Sequence, residues 1–295
     1  MNKNIFDCFQ AETVLQKNCL NLLGFEFDGT ACFRKGAKKG PNAIRKASPG
    51  IESYSPYLNL DLNDYDGIIF DLGNLEASTK TLNVEDDWKQ KNQAFEKLLS
   101  LNDSKIIDFK FLILGGEHSI SYIFMKQYLE YFKNLTIIHL DAHADLRDGY
   151  EGFHYSHASI IKRISEHMTN DHQLIQYGIR SGTREEFKWM SKHKTLMTSK
   201  DKFLEKIESI PNDTPIYLTL DLDYFDPSFL AGTGTPEPGG EDFHSFISLI
   251  KILKDKNFVG SDVVELAPEI DFTGNSDVFA AKVVREISLA LLYEV

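Results

Sequence analysis

Eight short apolar runs, rich in β-branched and aromatic residues, recur along the chain and alternate with stretches of helical periodicity. That alternation restricts the possible folds more than any other feature. The runs fall at 20–27, 67–72, 109–114, 135–140, 174–179, 195–198, 216–220 and 259–266. Most are hydrophobic throughout rather than alternating in and out, as strands are when both faces of their sheet are covered. Amphipathic stretches at 88–101, 119–132, 156–167, 183–193, 202–207 and 243–253, and a last one at 278–292, supply the helices. A mostly parallel sheet with helices on both sides is therefore expected, and one such sheet accounts for all 295 residues as a single domain. On periodicity alone, a (β/α)₈ barrel competes with it. The polar segment 77–87 reads as a surface connection.

Composition excludes several classes. With 26% charged and 42% hydrophobic residues, the chain is neither disordered, collagen-like nor a coiled coil. Acidic residues number 44 against 32 Lys and Arg, a formal net charge of −12. Such a surface suits cations and disfavours nucleic-acid backbones. No apolar run is long enough to span a bilayer, and residues 1–7 lack the apolar core of a signal peptide, so the expected compartment is the cytoplasm. Cys8, Cys19 and Cys32 are odd in number and lack CxxC spacing, which predicts free thiols rather than a disulfide or zinc framework.

In open α/β sheets ligands bind beyond the carboxyl ends of the strands. The run ending at Leu114 is followed by Gly115-Gly116-Glu117-His118-Ser119, and the run ending at Leu140 by Asp141-Ala-His143-Ala-Asp145. Asp221-Leu-Asp223 follows the run ending at Leu220, and Glu265 follows Val264. Side chains two and four apart in extended backbone point the same way, so each acidic motif can face one point. Carboxylates and imidazoles gathered so closely repel or protonate unless cations sit among them. Four aspartates and two histidines are too many ligands for one ion with open positions, and suit a pair of ions sharing carboxylates. Carboxylate with imidazole and without thiolate favours Mn2+, with Zn, Co, Ni and Fe as alternatives. The glycine-rich stretch 232–240 lacks the Gly-Lys-Ser/Thr ending of a phosphate loop.

These motifs, with Gly232-Thr-Gly-Thr-Pro236, Asp262-Val-Val-Glu265 and Gly178-Ile-Arg-Ser181, resemble the arginase–agmatinase (ureohydrolase) family over nearly the whole chain. The resemblance implies a three-layer α/β/α sandwich around an eight-stranded, mostly parallel sheet, which displaces the barrel. It also implies two Mn2+ ions per chain, one held by His118, Asp141, Asp145 and Asp221, the other by Asp141, His143, Asp221 and Asp223. Glu265 would grip a guanidinium and His157 would shuttle protons, with His154 close enough in sequence to take that role instead. Asp145 or Asp223 would pass a proton to the leaving amine. The implied reaction is hydrolysis of a guanidine to an amine and urea. The run from Asp145 through Ser159 resembles the branch of the family that converts agmatine to putrescine in polyamine biosynthesis. Asp148 and Glu151 in that run would tolerate an amine tail and repel a carboxylate. Arginine, 4-guanidinobutanoate and formiminoglutamate are the alternative substrates. An inactive regulatory relative and a one-ion deacetylase of similar fold are the alternative functions. Members of the family are commonly trimers or hexamers.

Overall fold

Each of the eight apolar runs becomes a strand of one sheet, because a segment apolar on both sides buries itself only between two helical layers. The computed structural model describes residues 5–76, 83–100 and 105–293. In chain order its elements are β1 (Gln10–Ala11), β2 (Leu20–Phe25), α1 (Gly40–Ala47), β3 (Tyr54–Ser55), β4 (Leu60–Asp61), β5 (Ile69–Asn74), α2 (Val84–Ser100), β6 (Lys110–Gly115), α3 (Ser121–Tyr131) and β7 (Thr136–Leu140). They continue with α4 (Ile160–Ser165), β8 (Gln173–Tyr177), α5 (Arg184–His193), β9 (Leu196–Met197), α6 (Lys200–Glu208), β10 (Ile216–Asp221), α7 (Phe243–Leu253), β11 (Phe258–Val264) and α8 (Asn275–Leu292).

The main sheet has nine strands, not eight, in the order β1-β5-β2-β6-β11-β10-β7-β8-β9, and every neighbouring pair is parallel. The added edge strand, β1, is two exposed residues long and carries no apolar run that periodicity could register. The strands β3 and β4 form a small separate antiparallel hairpin.

Alternate residues of each central strand feed opposite cores. On β6, Phe111 and Ile113 pack with Trp88, Phe95 and Phe124 of α2 and α3. Leu112 and Leu114 pack with Phe246 and Ile250 of α7 and Ile287 of α8. The result is the expected three-layer sandwich.

The helices keep their local signals. Thr183 and Glu186 form a reciprocal capping box on α5, and Asp242 caps α7 through the Ser245 amide at 2.7 Å. The first turns of the expected helices at 119–132 and 156–167 tighten into 3₁₀ turns, His118–Ile120 and His157–Ser159. Helix α1, which opens on Gly40-Pro41, is an addition to the sequence reading. Of the expected surface connection, residues 77–82 lie outside the described residues, as does position 101 of the expected helix at 88–101, and residues 84–87 already belong to α2. Among the described residues no helix is long and apolar enough to cross a membrane.

The strand order sets β6, β11, β10 and β7 side by side. Being parallel, they end at one edge. Leaving that edge after β6, the chain passes so close to the 25–27 segment that a Cβ on Gly116 would lie 1.9 Å from the Phe27 carbonyl oxygen. Backbone bonds from Gly116 to Phe25 (2.8 Å) and from Glu117 to Phe27 (2.7 Å) fix this approach. Gly116→Ala is expected to cost about 1–3 kcal/mol, as overpacking does, read as a lower denaturant midpoint. An unchanged midpoint would show that the two segments are not locked together.

Candidate active site

At the shared edge the acidic motifs meet. Asp141 directly follows β7, Asp221 ends β10, and Asp223 lies in the 3₁₀ turn Leu222–Tyr224. His118 opens the 3₁₀ turn beyond β6. The Nδ1 atom of His118 lies 3.0 Å from Asp141 Oδ2, 3.1 Å from Asp145 Oδ2 and 3.5 Å from Asp221 Oδ2. The Nδ1 atom of His143 lies 2.9 Å from Asp223 Oδ2 and 3.6 Å from Asp141 Oδ1. Two donor groups result, one around His118 and one around His143, and Asp141 belongs to both. Asp145 reaches its group from left-handed backbone (φ +52°), and Glu265 enters the site with φ +68°. Outliers of this kind cluster at functional sites.

Hydrogen bonding identifies what the His118 group can hold. The Thr219 hydroxyl donates to Asp262 Oδ1 (2.7 Å), so its oxygen accepts from His118 Nε2 at 2.8 Å. The Nε2 proton is thereby fixed, and Nδ1 faces the carboxylates, where it takes either a proton or, through its lone pair, a cation. Nδ1 is buried and none of the three oxygens lies along a hydrogen-bond direction from it. A nitrogen lone pair and several carboxylate oxygens aimed at one region fit a divalent cation of intermediate hardness.

The titration behaviour has the same cause. Burial alone would lower His143, but Asp223 and Asp141 outweigh it and push the imidazole up to about 12. His118 is likewise raised by Asp141 and Asp145 against its burial. Burial and then Asp141 raise Asp145 to about 7, while burial, Asp223 and Asp141 raise Asp221. The cluster demands positive charge, which protons or divalent ions can supply.

A cavity of about 260 Å³ opens above the cluster and is lined by His118, His143, Asp145, Asp221, Glu265 and His157, among others. Glu265 accepts the His118 backbone N–H at 2.8 Å. Burial, then the neighbouring His143 and His118, lower His157 to about 4, so it is a neutral imidazole. His154 turns away and contacts Arg163 at 2.9 Å, which separates the two histidines left open by sequence. The structure does not bring Asp148 or Glu151 to this cavity. Asp148 pairs with Arg163 instead, and both acids line a separate surface depression formed by residues 148–154. In their place the cavity wall carries Arg147, stacked over Tyr150, and Glu186.

Several supporting residues escape the sequence reading. The Nε2 atom of His139 lies 2.8 Å from Asp141 Oδ2, and Gln176 approaches the other ring nitrogen at 3.2 Å. His139 precedes Asp141 by two residues on β7, so the period-2 rule could have signalled it. Glu117, wholly buried, receives the Thr30 amide at 2.8 Å and the Ser119 hydroxyl at 2.7 Å. No local pattern connects Thr30 to that glutamate.

A family model described as the arginase family matches residues 19–290. The chain is 34% identical over 277 residues to an agmatinase of Bacillus subtilis, covering 92% of this chain and 91% of the relative. It is also 34% identical over 254 residues to an N(1)-aminopropylagmatine ureohydrolase of Thermococcus kodakarensis, covering 84% and 82% of the two chains. The crystal structure of an agmatine ureohydrolase of Thermoplasma volcanium superposes with a TM-score of 0.78 at 27% identity, covering 99% of this chain and 95% of the other.

The charge balance gives a signed prediction. In the ion-free protein Asp145 titrates near 7, above the ordinary carboxylate value near 3.9. That group's stabilisation is complete below about pH 4 and is lost as pH rises through about 7. A divalent ion replaces the proton, so the stabilisation it confers grows with pH. Added Mn2+ should raise the melting temperature more at pH 8 than at pH 6. Equal increments at both, or none, would contradict the charge balance described here.

Proposed function

Because the chain belongs to the arginase family, we propose that it is a ureohydrolase that cleaves the guanidine of agmatine to putrescine and urea. One observation carries this reading: His118 and Asp145 of one donor group and His143 of the other, joined beneath by the shared Asp141, line a cavity whose wall holds Glu265 and His157. In this reading His118, Asp141, Asp145 and Asp221 would hold one Mn2+, and Asp141, His143, Asp221 and Asp223 would hold the other. When bound, a pair of divalent ions supplies Lewis acidity and a hydroxide nucleophile near neutral pH.

The chain's own groups do the rest. Glu265 faces the cavity with one oxygen tied to the His118 amide, which leaves the other for the N–H groups of a planar guanidinium. Holding the guanidinium there presents its carbon to the cavity floor and fixes the approach geometry. Asp145 or Asp223 passes a proton to the departing nitrogen. His157, neutral in the resting state, exchanges protons with solvent.

Agmatine leads among guanidines because the similar curated relatives named above act on agmatine or an aminopropyl derivative of it. Asp148 and Glu151 lend it no support, since neither lines the cavity. Arg147, which does, would favour a carboxylate-tailed guanidine such as 4-guanidinobutanoate, and this is the second reading. The proposed enzyme is a cytoplasmic homo-oligomer, a trimer or hexamer, acting on a small cationic guanidine, with neither nucleic acid nor membrane as partner.

Urea release from agmatine, arginine, 4-guanidinobutanoate and formiminoglutamate with added Mn2+ tests the reading. Agmatine should give the highest kcat/KM. Preference for 4-guanidinobutanoate would replace it with the second reading, and no urea from any guanidine would overturn both. His157→Asn should lower kcat by about 10²–10⁴-fold, the range of a general acid–base group. Unchanged turnover would remove His157 from the reaction.

A further inference from the structure

A buried hydrogen-bond chain links the glycine-rich turn after β6 to the cavity wall, and it determines which nitrogen of His157 carries the proton. Glu117 is wholly buried, and the Thr30 amide, the Thr30 hydroxyl and the Ser119 hydroxyl all donate to it. Three converging donors define it as the acceptor. The single hydroxyl proton of Thr30 is therefore committed to Glu117, and its oxygen can only accept. Two groups of His157 approach that oxygen, the backbone N–H at 3.2 Å and ring Nδ1 at 3.3 Å. Both lone pairs of the oxygen are then used, and Nδ1 must bear the ring proton. The opposite nitrogen, Nε2, keeps its lone pair. It lies 3.4 Å from the thiol of Cys32, which with His157 lines the cavity. The Tyr150 ring stands edge-on to the imidazole with centroids 5.7 Å apart.

We propose that Glu117 and Thr30 are positioning residues that lock His157 in its Nδ1–H tautomer, so that Nε2 is the atom that carries protons between solvent and the leaving amine. Beyond the proton that Asp145 or Asp223 passes to the departing nitrogen, Nε2 in each turnover takes one proton from solvent and gives it to the released amine, so the ring returns to the Nδ1–H form with no net change. The inference rests on the ureohydrolase reading for the role of His157. The tautomer itself follows from the hydrogen bonds alone.

The test is imidazole ¹⁵N NMR of histidine-labelled protein loaded with diamagnetic Zn2+, with the His157 signals identified by their loss in His157→Asn. Wild type should show a protonated Nδ1 and an unprotonated Nε2. Thr30→Val should disturb that pattern, and in the Mn2+-loaded enzyme it should lower kcat about 10–100-fold with KM little changed, part of the general acid–base contribution. Thr30→Ser, which keeps the hydroxyl, should restore both. A wild-type His157 protonated at Nε2 overturns the proposal even if the valine variant folds poorly. So does a valine variant with unaltered signals and kcat. Absence of urea from every guanidine would remove the ureohydrolase reading, while the ¹⁵N signals would still decide the tautomer.

Discussion

Carboxylates from different strands stand together in the interior of this protein, and their mutual repulsion is the constraint that the rest of the site answers. Asp141, Asp223, Asp221 and Asp145 are all buried, with 0%, 1%, 4% and 6% of their surfaces exposed. Water cannot screen them there, and at an effective dielectric of about 20 two unit charges 4 Å apart interact by about 4 kcal/mol. The strand order makes the crowding unavoidable, because β6, β11, β10 and β7 are adjacent and parallel and each delivers its acid or imidazole to the same edge. Positive charge must enter. The arrangement around His118, with Nε2 pinned through Thr219 to Asp262, presents a lone pair to that charge.

The local backbone is shaped to the same end. Asp145 and Glu265 adopt left-handed conformations that cost non-glycine residues roughly 1–2 kcal/mol each. Both are held by backbone hydrogen bonds: the Lys162 amide donates to the Asp145 carbonyl at 3.1 Å, and the Glu265 amide to the Gly116 carbonyl at 2.8 Å. The strain turns one carboxylate down into the His118 group and the other toward the cavity. Gly116 itself has room for no side chain, so the turn that presents His118 and Glu117 is set by contact with Phe27.

Much of this was legible in the sequence because the signals are local. A continuous apolar run announces a two-sided strand, and an acid directly after it lies at the sheet edge. The six His and Asp positions in the three motifs do converge. What was not legible depends on distant partners or on weak local patterns. The strand β1 has no apolar character, and α1 begins with residues that read as a turn. The direction of Asp148 depends on Arg163, fifteen residues away, and loop charge alone does not reveal it. Thr30 and Glu117 are 87 residues apart, and no spacing rule joins them. Within the family, the sequence pointed to agmatine through the run from Asp145 to Ser159, and the two acids that supported it, Asp148 and Glu151, lie outside the cavity.

If a pair of divalent cations neutralises these acids, anomalous diffraction from crystals grown with Mn2+ will locate both ions. Two peaks about 3.5–4 Å apart are expected, one beside His118 and Asp145 and the other beside His143 and Asp223, with Asp141 between them. One peak, or none, at this edge of the sheet would contradict the account.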